Sequence, residues 1–204
     1  MSQESSSEHS GQFSISHEEI GNLPLKAYSG RVELIQDARQ VAAAFDEIKR
    51  HEVVGFDTET RPSFKKGQLF KVSLMQLATP DHVFLIRLHH TGITPEIVGF
   101  LESGNVLKTG VGIRDDLSAL TRIQRFKPEG FVDLAPLARE AGLKVESVKK
   151  LAGLVLGFRI SKSAQTSNWE AKTLTPKQIE YAATDAWVCL ELYRRLIDRK
   201  NQSL

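Results

Sequence analysis

The feature that most constrains the fold is a change in hydrophobic period along the chain. Four strands are predicted in the first half: 31–35, where apolar residues alternate, and the largely apolar segments 53–57, 70–78 and 82–88. The last two flank a Thr-Pro-Asp turn, which favours a hairpin. Helical spacing appears at 38–50, 97–102, 115–124, 134–140, 147–154 and 176–199, and further strands are predicted at 106–111 and near 132. This order predicts one layered domain of the α/β or α+β class.

Composition excludes several classes of protein. The chain is 41% hydrophobic and 25% charged, as expected for a globular domain. It contains no apolar run long enough for a membrane span and no signal-like segment. The single cysteine, Cys189, cannot form an internal disulfide, and we expect it to be buried among apolar residues. We therefore expect a soluble, cytoplasmic protein.

The charge is unevenly distributed. Residues 1–25 contain four glutamates and neither lysine nor arginine, so the remaining residues carry +6 of a chain whose net charge is +2. The first 12 residues also lack apolar periodicity. We predict a flexible acidic tail over residues 1–25, followed by a single domain over 26–204. The positive balance of that domain permits a polyanionic ligand.

Two carboxylates follow an apolar strand in the segment Val-Val-Gly-Phe-Asp-Thr-Glu-Thr. Asp57 and Glu59 are two residues apart and share a face of a strand, with Gly55 leaving space beside them. Converging carboxylates repel each other unless they share protons or a cation, and an all-oxygen set suits Mg²⁺ or Mn²⁺. The alternative is two solvated acids in a turn at the strand end.

Two further segments carry acids where a helix is predicted. Asp115 and Asp116 follow a glycine-containing turn, and their alternative role is to cap the helix. Tyr181 and Asp185 are one turn apart on the inward face of the last helix, with small alanines that admit another element. The alternative there is a buried Tyr–Asp hydrogen bond.

The ordered set of motifs resembles the DEDD superfamily of 3′→5′ exonucleases. The matching segments are FDTET, GVGIRDDLSAL and SNWEAKTLTPKQIEYAATDAW, within residues 30–197. The chain is similar to the branch with tyrosine in the third motif, which includes ribonuclease D and the Werner-syndrome-type exonuclease domain. Gly112 and the Asn-Trp pair before the third motif resemble the Werner-type group. The alignment places Asp116 in the metal site and leaves Asp115 to cap the helix.

This resemblance implies an RNase H-like fold of the α/β class, with a central mixed β-sheet flanked by α-helices. It implies two Mg²⁺ or Mn²⁺ ions and a metal-dependent hydrolase that releases nucleoside 5′-monophosphates from 3′ ends, with DNA favoured over RNA. The metal ligands would be Asp57, Glu59, Asp116 and Asp185. Tyr181 would complete the catalytic set by orienting the attacking water.

Basic segments on either side of these motifs predict contacts with nucleic acid. Arg61, Lys65 and Lys66 follow the first motif, and residues 143–169 hold five basic side chains, including Lys162, against one acid. Lysines in such loops contact backbone phosphates without sequence preference. Trp169 is a candidate for stacking on a terminal base, with a core position as its alternative.

Two other functions remain open on the sequence alone. One is a nucleic-acid-binding module of the same fold without catalysis. The other is an RNA-processing exoribonuclease like ribonuclease D.

Overall fold

The computed structural model describes residues 14–63, 65, 67–144 and 147–202. The strands are β1 (Arg31–Ile35), β2 (Val53–Thr60), β3 (Val72–Ala78), β4 (His82–Ile86), β5 (Leu107–Gly110) and β6 (Phe131–Asp133). The α-helices are α1 (His17–Asn22), α2 (Ala38–Ile48), α3 (Leu88–Thr91), α4 (Pro95–Leu101), α5 (Arg114–Ile123), α6 (Leu134–Glu140), α7 (Val148–Leu151) and α8 (Pro176–Gln202). A π-helical turn (Ala152–Leu156) follows α7.

The strands form one mixed sheet in the order β1-β4-β3-β2-β5-β6. β3 is antiparallel to both β2 and β4, which confirms the predicted hairpin, and the other neighbouring pairs are parallel. β2 continues to Thr60 because β3 pairs with it along this length, with Asp57 opposite Gln76 and Glu59 opposite Leu74. The two carboxylates therefore lie within a paired central strand and not in a turn at its end.

Helices cover both faces of the sheet, as the continuously buried strands β3 and β4 require. On one face, Phe84 and its same-face neighbours pack with α2 and α4; on the other, Val83 and Leu85 pack with α8. α2 shows the helical spacing directly, because its apolar positions Val41, Ala44, Phe45 and Ile48 are all buried. The predicted arrangement of a mixed sheet with flanking helices is confirmed.

The contact between β2 and α8 brings backbone against backbone. A Cβ atom added to Gly55 would lie 1.9 Å from the carbonyl oxygen of Ala186. The small residues on both elements, glycine on the strand and alanine on the helix, thus allow the two backbones to approach closely. The space expected beside the carboxylates is filled by α8 itself. This contact fixes the height of α8 above the central strand.

The N-terminal segment differs from the predicted flexible tail over residues 1–25. α1 begins with a capping box formed by Ser16 and Glu19, and Ile15 is buried. Ile15 and Leu23 approach Gly153 of the π-helical turn, and the backbone on either side of Leu25 hydrogen-bonds to Arg159. Residues 14–25 belong to the folded domain because their few apolar side chains pack against residues that are distant in the sequence. The rest of the predicted tail lies outside the described residues.

Cys189 is buried, as predicted. Among the described helices, none combines the length and the hydropathy that a membrane crossing requires.

Lys108 of β5 is buried beneath α4, where its ammonium group caps the end of that helix. Nζ donates hydrogen bonds to the carbonyl oxygens of Phe100, at 3.1 Å, and Ser103, and it lies 4.9 Å from the centre of the Phe131 ring. Desolvation by burial lowers the pKa of Lys108 to about 8. The amine therefore satisfies carbonyl groups that the helix end leaves without partners.

Replacement of Lys108 by methionine is expected to lower the free energy of unfolding by about 2 kcal/mol, because carbonyl groups near the end of α4 lose their donor. Urea denaturation of the two proteins measures this difference. Lys127→Met is the matched control, since Lys127 is exposed and its pairing with Glu129 contributes little. Equal stability of the Lys108 and Lys127 variants would show that Lys108 has no capping role.

Candidate active site

Three carboxylates from two distant segments converge on one point. Asp57 and Glu59 of β2 and Asp185 of α8 each offer an oxygen, and these oxygens all lie within 4.8 Å of one another. Asp57 and Glu59 share the strand face that α8 covers, and the Gly55–Ala186 contact places Asp185 beside them. The structure thus brings together the side chains that the sequence predicted to converge.

The carboxylates in this cluster are buried away from water, and their charges repel one another. Burial, then the charges of Asp185 and Asp116, raise the pKa of Asp57 well above its usual range. Burial, followed by the charges of Asp57, Asp185 and Asp116, raises the pKa of Glu59 to about 10. Burial also raises the pKa of Asp185 to about 6. Asp185 Oδ1 is buried with no hydrogen-bond partner among the described residues. An orphan oxygen in a repelling carboxylate cluster fits a divalent cation of the hard class.

Asp116 reaches this site from the first turn of α5. Its carboxylate accepts a hydrogen bond from the hydroxyl of Thr58, the residue between the two β2 acids. Burial raises the pKa of Asp116 to about 6, although the hydrogen bond from Thr58 opposes this shift. The charge of Asp116 also acts on Asp57 and Glu59, so it is the fourth acid of the same electrostatic cluster.

The predicted capping role of Asp115 is wrong. Gly112 has φ of 70°, and this sharp turn lets α5 begin at Arg114 with Ile113 in the cap position. Asp115 is therefore already inside the helix and exposed, and no side chain caps this end. The turn is held from another strand end, because Asp133 accepts a hydrogen bond from the Gly112 amide.

Tyr181 lies one turn before Asp185, buried, with its hydroxyl in contact with the Asp185 carboxylate. Burial, followed by the charges of Asp185 and Glu59, raises the pKa of this phenol far above its ordinary value. Tyr181 therefore stays protonated at neutral pH and acts as a hydrogen-bond donor, not as a base.

The loop after β2 lines a cavity. Its volume is about 420 Å³, and Arg61 and Lys65 line it together with Phe70 and Asn168. Arg61 pairs with Glu170 at 3.3 Å and lies over the Phe70 ring. An adjoining cavity of about 340 Å³ extends from Arg61 to Thr58 and Asp116. Lys66, predicted to act with these residues, lies outside the described ones.

Lys162 lies in a different cavity, of about 520 Å³, which contains Tyr181 and Lys149 in its lining. Lys149 was not among the individual candidates from the sequence, and its Nζ is buried near the Asp185 charge. Thr58 was also missed, because the partner that it binds is 58 residues away. The basic run around residues 144–162 was the signal that pointed to Lys149.

Trp169 does not offer a surface for base stacking, and that prediction is wrong. Its side chain is fully buried, and its ring lies 6.1 Å from that of Tyr181, so it packs behind the site. The buried Arg87 binds the loop that follows Trp169, because its guanidinium donates hydrogen bonds to the carbonyl oxygens of Ala171 and Lys172. The core alternative for Trp169 is the one that the structure supports.

Comparison with known proteins agrees with this geometry. A family model described as 3′-5′ exonuclease matches residues 32–199. The chain is 33% identical over 186 residues to the mouse bifunctional 3′-5′ exonuclease/ATP-dependent helicase WRN, covering 86% of this chain and 13% of that protein. It is 29% identical over 204 aligned positions to a 3′-5′ exonuclease of Arabidopsis thaliana, covering 92% of this chain and 70% of the relative. The chain therefore belongs to the family of 3′-5′ exonuclease domains.

Solved structures agree on the fold. The Aedes aegypti Nibbler EXO domain superposes with a TM-score of 0.78 at 24% identity, over 87% of this chain and 93% of that one. Escherichia coli RNase D superposes with a TM-score of 0.77 at 21% identity, over 85% of this chain and 46% of that one. These neighbours confirm the predicted RNase H-like fold.

Proposed function

We propose that this protein is a metal-dependent 3′→5′ exonuclease that hydrolyses phosphodiester bonds at nucleic-acid 3′ ends and releases nucleoside 5′-monophosphates. The observation that carries the proposal is the convergence of Asp57, Glu59 and Asp185, with an orphan buried oxygen, beside the hydroxyl of Tyr181. Without cations such a cluster repels phosphate, so a module that only binds nucleic acid gains nothing from it.

Asp57, Glu59, Asp116 and Asp185 would hold two Mg²⁺ or Mn²⁺ ions. When bound, such ions lower the pKa of a water and neutralise the charge on the leaving oxygen. Tyr181 supplies a proton-bearing hydroxyl that orients the attacking water, since its raised pKa keeps it a donor. Thr58 holds the Asp116 carboxylate in place through its hydrogen bond. Arg61, Lys65 and Lys162 contact backbone phosphates.

The substrate proposal favours DNA, on the resemblance of the second and third motifs to the Werner-type group. RNA is the second candidate, because Trypanosoma brucei RNase D, a structural neighbour with a TM-score of 0.70 at 22% identity, has been solved in complex with RNA U12. The two substrates differ in the 2′-hydroxyl, so matched strands of one sequence separate them.

The test is a gel assay with 5′-labelled single-stranded DNA, 3′-recessed duplex DNA and a matched RNA, each in Mg²⁺, Mn²⁺ or EDTA. We expect a ladder that shortens from the 3′ end, depends on the metal and proceeds faster on DNA. Faster cleavage of RNA would overturn the DNA preference alone. Binding without a ladder in any metal would support the catalytically inactive module instead.

Asp116→Ala is expected to lower the rate of cleavage by about a hundredfold. The variant loses one of the carboxylates that would hold the cations, and these cations neutralise charge that develops in the transition state. Asp115→Ala is the matched control, as the neighbouring acid is exposed and caps nothing, and it should retain both activity and stability. Initial rates on a labelled oligonucleotide measure both variants. The reverse result, an inactive Asp115 variant and an active Asp116 variant, would show that the second motif is displaced by one residue.

A further inference from the structure

The cavity that contains Lys162 lies between α1, α7 and α8, on the far side of Tyr181 from the loop after β2. It has a volume of about 520 Å³, and Tyr181 is part of both its lining and the carboxylate site. Because the Tyr181 hydroxyl contacts the Asp185 carboxylate, this cavity adjoins the carboxylate site.

The lining of the cavity is strongly basic. It includes Lys149, Lys150, Arg159 and Lys162, and its lining contains no aspartate or glutamate. The described part of the chain places no carboxylate in an ion pair with any of these four side chains. The Nζ atom of Lys149 is buried and finds no hydrogen-bond partner among the described residues. The nearby charge of Asp185 offsets part of the cost of burying this ammonium, and an anion that enters the cavity and accepts a hydrogen bond from Nζ lowers that cost further.

The cavity is built by long-range contacts and is not a gap between mobile side chains. α1 forms one wall of the cavity. The side chains of Ile15, Ile20 and Leu23 approach Gly153 of the neighbouring π-helical turn, and these contacts position the wall. Arg159 Nε donates a 3.0 Å hydrogen bond to the Leu23 carbonyl oxygen, which ties the basic loop to this wall. Arg159 is therefore held at the edge of the cavity before a ligand binds, which lowers the cost of ordering its side chain on binding.

We propose that this cavity binds a backbone phosphate of the substrate strand, one that is separate from the phosphate whose bond is cleaved. The inference rests on the proposed exonuclease function and assigns to Lys149 and to the wall formed by α1 a part in holding the strand. Because the cavity adjoins the carboxylate site at Tyr181, a phosphate next to the cleaved one along the strand is the group placed to enter it. Lysine contacts of this kind are independent of base sequence.

The first test measures binding of a 5′-fluorescein-labelled 20-nucleotide DNA by fluorescence anisotropy in Ca²⁺, across a series of salt concentrations. Lys149→Gln is expected to weaken binding about tenfold and to reduce the slope of log K against log salt by about 0.7, the value for one contact to a single strand. Lys127→Gln is the control, because it removes the same charge from an exposed site outside the cavity. An affinity and a slope equal to those of the control would overturn the proposal.

The second test separates strand holding from chemistry in the intact protein. For cleavage of the 20-mer in Mg²⁺, Lys149→Gln is expected to raise KM about tenfold and to change kcat much less. The p-nitrophenyl ester of thymidine 5′-monophosphate has no second phosphate, so the loss in kcat/KM on this ester should be much smaller than on the 20-mer. Equal losses on the two substrates would overturn the proposal, since Lys149 would then act at the reacting bond.

The two tests also distinguish the inference from the function on which it rests. If the unaltered protein binds the 20-mer but cleaves neither substrate in any metal, the exonuclease proposal fails while the anisotropy comparison still decides the role of the cavity. If the unaltered protein cleaves the 20-mer and Lys149→Gln matches Lys127→Gln in every measurement, the cavity proposal fails alone.

Discussion

Replacement of Asp57 by asparagine is expected to abolish cleavage, with a loss of at least about a thousandfold in rate. Asp57 lies between the other acids of the cluster, and its charge acts on both Glu59 and Tyr181. Asparagine keeps the size of the side chain but removes the charge that would hold the cations, whose contribution to catalysis is several kcal/mol, or about tenfold in rate for each 1.4 kcal/mol.

The same substitution has a second expected consequence that activity alone does not report. Without metal, the unaltered protein must either protonate Asp57 or hold its charge against the neighbouring acids. Asparagine avoids both costs, so the variant should melt at the same temperature as the unaltered protein or higher. Mg²⁺ should raise the melting temperature of the unaltered protein by binding to the folded state, and should do so far less for the variant. Differential scanning fluorimetry in EDTA and in Mg²⁺ measures both effects.

An Asp57→Asn protein that still cleaves DNA at a normal rate would contradict the assignment of the site. A variant that is inactive but melts well below the unaltered protein in EDTA would contradict the electrostatic account, because relief of repulsion then fails to compensate for the change. The control for contaminating nucleases is the variant itself, purified in the same way.

Replacement of Gly55 by alanine is expected to lower the free energy of unfolding by at least about 3 kcal/mol. A single methyl group would lie 1.9 Å from the Ala186 carbonyl oxygen, and both partners are backbone in a paired strand and a long helix. Neither backbone can move without shifting α8 away from the sheet. The loss of stability is therefore expected at the upper end of the range for overpacked cores. Guanidinium denaturation, followed by circular dichroism, measures the change.

Gly99→Ala provides the matched control for this prediction. Gly99 is an exposed residue of α4, and a Cβ atom added there would meet nothing within 4 Å. Alanine at an open helical position is expected to raise stability by up to about 1 kcal/mol. If the two variants change stability by similar amounts, the close approach of α8 to β2 is not required by the fold.

The Gly55 contact also connects stability to the site. Asp185 immediately precedes Ala186, so any outward shift of α8 moves this carboxylate and Tyr181 away from Asp57 and Glu59. We therefore expect the fraction of Gly55→Ala protein that still folds to be a poor enzyme. The geometry of the cluster depends on a glycine that itself touches no ligand.

The parts of the site that the sequence predicted are those that depend on local periodicity. Asp57 and Glu59 share a face because side chains alternate along any strand, and Tyr181 and Asp185 share a face because a helix turns every 3.6 residues. Two apolar segments joined by a Thr-Pro-Asp turn likewise predicted the hairpin of β3 and β4, whose pairing is antiparallel in the structure. These features follow from the backbone alone.

Other features were decided by the tertiary structure, because their causes lie far away in the sequence. Asp115 does not cap α5, because the helix already begins at Arg114 after a turn that Asp133 of β6 holds. Trp169 is buried in an apolar cluster with residues of β3, β4 and α8, and the segment around α1 packs against the π-helical turn. By itself, the sequence therefore determined which residues carry the chemistry and which of them share a local face. Only the tertiary structure decided which faces meet, because contacts between distant segments are set by packing and not by local period.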